Sequence, residues 1–177
     1  MNLWGYGAIA LLAAGTLLVT SGTQREKSLV AGAPDGLRLL EARAAAQPND
    51  PGATGGLAQA YLDARQSGLA LVLVESAPPA VRADVRVRHV YARALVDQGR
   101  DDDALAVERS VVVACRASDD VQIEAPGCDA VLLASAERRA AILEELVSLG
   151  VEDAQSQPDM SLVAYKNATR EARIASE

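Results

Sequence analysis

The sequence predicts an all-α protein built from short helical hairpins stacked as a short α-solenoid, and three observations carry that expectation. Half of the 177 residues are hydrophobic, yet aromatics make up only 3% and Phe is absent. A core of Ala, Val and Leu must be thin and closely packed, which suits helices meeting on small residues better than a β-sandwich. Apolar residues also recur at three- and four-residue steps over long stretches, with no convincing alternating run. Finally, the chain matches itself when slid by 34 residues.

The first element is an apolar run. Residues 3–20, LWGYGAIALLAAGTLLVT, carry no charge. As a helix they would span roughly 27 Å at ~1.5 Å per residue, close to the thickness of a bilayer core. Trp4 and Tyr6 stand at one end, where amphipathic rings favour the interface. Two readings of residues 1–22 stand: an uncleaved transmembrane anchor, or a signal peptide cut near Thr20-Ser21-Gly22. Gly5-Tyr6-Gly7-Ala8-Ile9-Ala10 fits a dinucleotide-binding pattern, but only four residues precede it and no βαβ unit can form. Residues 23–35 are polar and read as a linker.

The repeat comes next, over 36–115. At a shift of 34, Leu57-Ala58 falls on Tyr91-Ala92 and Tyr61-Leu62-Asp63 on Leu95-Val96-Asp97. Ala70-Leu71 falls on Ala104-Leu105. VRADVRV (81–87) could pass for a strand, but it leads into a long helical pattern. A helix–turn–helix of this period, with small residues at fixed places, resembles the tetratricopeptide repeat (TPR), so the hairpins are expected to be TPR-like. That resemblance implies close helix crossings at Ala58, Ala70, Ala92 and Ala104, with Leu57, Tyr61 and Leu95 packed beside them. It also assigns Gly99 to the turn between helices, with Arg65 as its counterpart one unit earlier. Pro48 would close a preceding half-unit over 37–48. The sequence departs from the family late in the second helix, where Val74 and Glu108 replace an aromatic residue. Within this resemblance, LLEARAAAQPNDPGATGGLAQAYL is similar to membrane-anchored repeat proteins of bacterial cytochrome c maturation, which implies a bacterial source.

Beyond Cys115 the 34-residue phase is lost. Residues 116–128 read as a polar loop flanked by Cys115 and Cys128. In an oxidising compartment the two cysteines would form a disulfide across that loop; otherwise they are two buried thiols. Residues 129–177 read as a further helical hairpin that caps the stack. Its first helix carries Leu132, Leu133, Ala136, Ala140, Leu143 and Val147 on one seam and ends at Gly150. Its second opens at Pro158-Asp159, with Leu162, Tyr165 and Ala172 on one side.

The chemistry-bearing residues are few. The formal charge is −7, with no run of Lys or Arg, which argues against a nucleic-acid partner. His89 is the sole histidine, and no nucleophile elbow, P-loop or zinc motif occurs. No catalytic residue, cofactor, metal or small-molecule substrate is therefore expected. Asp97, Asp101, Asp103 and Glu108 match an EF-hand at four positions, but Asp102 stands where its glycine is needed. Acidic residues at a helix start explain them better. Arg82, Arg86, His89 and Arg93 fall at steps of four, three and four, which on one helix makes a basic stripe suited to an acidic segment or a C-terminal carboxylate. The expected function is a membrane-tethered scaffold that binds a protein or peptide partner in the cell envelope; the alternative is a small structural subunit of an envelope complex. The body is expected outside the cytoplasm, in the periplasm, from the cysteine pair. Arg25 and Lys27 just after the apolar run argue the other way.

Overall fold

The computed structural model describes residues 35–121, 127–151, 153–154 and 156–174. The expected anchor or signal peptide over 1–22, and residues 23–34 of the linker, lie outside the described residues. Among the described residues there are eight helices and no strand, so the chain is all-α. They are α1 (Asp35–Ala46), α2 (Pro51–Asp63), α3 (Ser67–Ser76), α4 (Pro79–Ala83), α5 (Val85–Val96), α6 (Asp101–Val121), α7 (Ala130–Ser148) and α8 (Pro158–Ile174). Among the described residues, no helix is long and apolar enough to cross a membrane. The chain divides into two compact units, Met1–Leu39 and Leu40–Glu177, the boundary falling inside α1. Helices α2 to α8 all belong to the second unit.

Local chemistry sets where the helices start. Asp50 caps α2 by accepting from the Gly52 amide at 2.9 Å, and Pro51 occupies the first helical position, where a missing N–H costs nothing. Asp129 caps α7 through the Leu132 amide at 2.7 Å. Three aspartates open α6, where the helix dipole favours negative charge.

Three helices end the same way. Just past the helix end the chain turns left-handed, at Arg65 (φ 60), Gly99 (φ 70) and Gly150 (φ 69). Each time the next amide reaches back five residues: Gln66 to Tyr61, Arg100 to Leu95 and Val151 to Leu146, at 2.8 to 3.0 Å. This is the Schellman closure, which satisfies carbonyls at a helix end.

The packing order of the second unit is largely sequential. α2 packs on α3, both pack on α5, and then α5 on α6, α6 on α7 and α7 on α8. Ala58, Ala70, Ala92 and Ala104 are fully buried in the main core with Leu62, Val87 and Leu95; Leu57 is buried too, and Tyr61 packs against the edge. A side chain larger than alanine at these four places would push the helices apart, at about 1–3 kcal/mol each. A second core cluster joins Val85, Val111, Cys115 and Ala136, with Cys128, Leu132 and Leu133 against it. Cys115 and Cys128 form a disulfide there, their Cα atoms 5.4 Å apart, tying α6 to the start of α7.

The structure departs from the sequence expectations in four places. The helical pattern through VRADVRVRHV is broken at Asp84, whose backbone is extended and whose side chain caps α5. A short polar side chain competes for backbone amides and starts a new helix instead of continuing the old one. The loop expected over 116–128 begins late, since α6 continues to Val121 and Arg116 pairs with Glu137 of α7 at 2.8 Å. On α7 the seam passes through Leu146, leaving Val147 exposed. On α8 the packed face carries Ala164 and Ala168, while Leu162 and Tyr165 face outward. Small residues win the buried face because they let α8 lie close to α7.

Candidate functional site

The four residues of the expected basic stripe do not share one surface. Arg82 belongs to α4 and is separated from the others by the break at Asp84. Arg86 is exposed, 3.8 Å from Asp84, and its guanidinium lies over Gly127. Gly127 has φ +94, a backbone that side chains rarely adopt, and a Cβ there would stand 2.8 Å from Arg86 Nε and displace the arginine. Arg93 reaches Asp63 of α2 at 3.6 Å, with both side chains solvated. His89 turns inward, its side chain only 14% exposed. Only Arg86 and Arg93 remain as solvated arginines of that stripe on α5.

His89 enters a charged network that joins α5, α6 and α7. Glu108 on α6 is 0% exposed. Its Oε2 lies 2.9 Å from His89 Nδ1, and its Oε1 accepts from Arg139 Nη1 at 2.7 Å. Arg139 Nη1 also donates to the His89 carbonyl at 3.1 Å. Ser135 Oγ lies 3.2 Å from His89 Nε2. His89 thus bridges Glu108 and Ser135 through its two ring nitrogens. Both oxygens of a fully buried carboxylate are thus matched, which is the condition for keeping a charge in a core.

The order carboxylate–histidine–serine has the connectivity of a nucleophilic triad. Two features describe its setting. Ser135 lies inside α7, where the backbone amides around it are taken up by the helix itself. Arg139 holds the second carboxylate oxygen and fastens the network to α7. Glu108, Ser135 and Arg139 were not singled out from the sequence as partners of His89. The one signal for them was Glu108, a charge where the expected repeat has an aromatic residue.

The acidic residues read against an EF-hand have different partners. Asp101, 2% exposed, accepts from the Ala154 amide at 3.0 Å through Oδ2, while its Oδ1 has no partner. Burial pushes its carboxyl above the usual range, the Ala154 amide opposes this, and Asp153 and Asp102 reinforce it. Glu108 is turned to His89 and Arg139 instead. Among the described residues, no group of three or more His, Cys, Asp or Glu is placed to hold a metal ion. Asn167, within a glycosylation sequon, donates to Glu145 from the surface of α8.

No protein-family model, curated protein or solved structure matches this chain.

Proposed function

We propose that this chain is a non-catalytic helical-repeat scaffold, tethered to a membrane through residues 3–20, that holds a protein or peptide partner outside the cytoplasm. The observation that carries the reading is the agreement of two hairpins at one spacing. Ala58 with Ala92, and Ala70 with Ala104, are fully buried pairs 34 residues apart, and Arg65 and Gly99 close their turns with the same left-handed geometry. A protein assembled from stacked like units presents an extended surface of the kind that repeat proteins use for binding. The disulfide supports an oxidising compartment. Arg86 and Arg93 are the docking residues of this reading, offered to an acidic segment.

The test is affinity capture from a detergent extract, with the Arg86→Glu, Arg93→Glu double variant beside the wild type. The scaffold reading expects a partner that a peptide displaces and that the variant no longer holds, at unchanged melting temperature. Unchanged capture by the variant rejects the arginines as the dock. Protease digestion of spheroplasts tests the compartment, and a fully protected body would overturn it.

A second reading is a structural subunit of an envelope assembly. Leu162, Val163 and Tyr165 are all exposed on α8, an apolar group on the outer face of the last helix. A stoichiometric complex that survives peptide competition would favour it.

A further inference from the structure

Between α3, α4, α5 and α6 lies a cleft of about 230 Å³, lined by Val74, Glu75, Arg82, Arg88, Tyr91 and Val107. Its floor is apolar and its polar groups are two guanidinium groups, one carboxylate and the Tyr91 hydroxyl. The carboxylate is already engaged. Glu75 accepts from the Tyr91 hydroxyl at 2.9 Å and lies 3.8 Å from Arg100. Arg88 is held against α6 by one hydrogen bond, from Nη1 to Ser110 Oγ at 3.1 Å. Its Nε is buried with no acceptor. Arg82 is exposed on α4 at the rim. The cleft therefore has unmatched positive charge above an apolar floor, in a protein whose net charge is −7.

We propose that this cleft binds a small apolar carboxylate, its anionic head between Arg82 and Arg88 and its aliphatic tail on Val74, Tyr91 and Val107. Guanidinium groups recognise carboxylates by charge-assisted hydrogen bonds, and Arg88 spends Nη1 on Ser110, which leaves the far side of its head to a ligand that brings an acceptor. The volume lies below the ~300–1,000 Å³ of sites for drug-sized ligands. It suits a branched short-chain acid, or the last residue of a peptide ending in leucine or valine, since both present the same group. The site stands on the cleft alone and uses neither Arg86 nor Arg93, so it succeeds or fails independently of the scaffold reading.

Titration calorimetry on the 177-residue chain tests it with 4-methylpentanoate, its neutral amide, and a leucine-terminated peptide in free-acid and amidated forms. The acid is expected to bind about tenfold or more tightly than the amide, as loss of one charge-assisted contact implies. Arg82→Gln, a change at an exposed position, should remove most of that preference, and Val107→Phe should block the floor with both arginines in place. Binding by the free acid alone assigns the site to small metabolite-sized acids. Tighter binding of the free-acid peptide assigns it to chain termini. Equal binding of acid and amide, no effect of Arg82→Gln, or no binding of any carboxylate overturns the proposal.

Discussion

Arg65 and Gly99, 34 residues apart, close the turns after α2 and α5 with the same left-handed backbone. Arg65 is the one non-glycine residue with positive φ among the described residues. A side chain in that region costs roughly 1–2 kcal/mol, and glycine returns about half of any relief as extra freedom when unfolded. Arg65→Gly should therefore stabilise the protein by about 0.5–1 kcal/mol. Gly99→Ala should do the reverse and by more, because a Cβ there would stand 3.1 Å from Asp153 Cγ as well as adopting the strained backbone. Chemical denaturation of both variants checks the pair. A destabilised Arg65→Gly would mean that the arginine contributes something its backbone does not reveal.

Removing the disulfide should weaken the junction of α6 and α7. The cysteines are 13 residues apart in sequence, and a loop of that size is worth about 3 kcal/mol in the chain-entropy model. The Cys115→Ala, Cys128→Ala double variant should melt about 6–12 °C below the wild type. Reducing agent should lower the wild type by a similar amount and leave the variant unmoved. Equal melting of the two proteins would show that packing of Val85, Val111 and Ala136 alone holds this end.

The Gly99 turn and the cysteine bridge were legible in the sequence because their signals are local. The alanine pairs and the Gly99 turn follow from one sliding comparison, and the cysteines from their spacing. The break at Asp84 was legible in principle, since aspartate ahead of a helix is a capping signal, but the apolar rhythm on either side conceals it. Periodicity could not supply which face of a helix meets which neighbour. On α8 the large residues Leu162 and Tyr165 suggested the buried side, whereas close approach to α7 selects Ala164 and Ala168. His89, Glu108 and Arg139 meet from three helices, at separations of 19 and 31 residues that no local pattern links.

Asp101 should make the protein less stable as pH rises through its own titration. Burial raises its carboxyl above the ordinary value of about 3.9, so between that value and the raised one the folded state binds more protons than the unfolded. Stability then falls with increasing pH across that window, and the cost persists at neutrality. The favourable dipole at the start of α6 opposes this, but the net direction of the shift shows that desolvation wins. Asp101→Asn keeps an acceptor for the Ala154 amide and carries no charge. At pH 7 it should melt above the wild type, with the gap narrowing toward pH 4. A less stable variant at pH 7 would reverse the argument.

The buried network on α6 should respond to how it is taken apart. Glu108→Ala leaves the Arg139 and His89 groups facing an empty, poorly hydrated space, and breaking a buried pair from one side costs about 3–5 kcal/mol. Arg109→Ala, one residue along, removes only an exposed pair with Glu144 and should cost under about 1 kcal/mol. The residue that stands 34 positions before Glu108 is Val74, buried and apolar. Glu108→Val combined with Arg139→Leu replaces charge by packing and should recover most of the loss, as buried ion pairs exchanged for apolar residues commonly do. Denaturant midpoints of the single and double variants give the coupling. If the double variant is as unstable as Glu108→Ala, the ion pair specifies the packing of α7 on α6 beyond what apolar contact can replace.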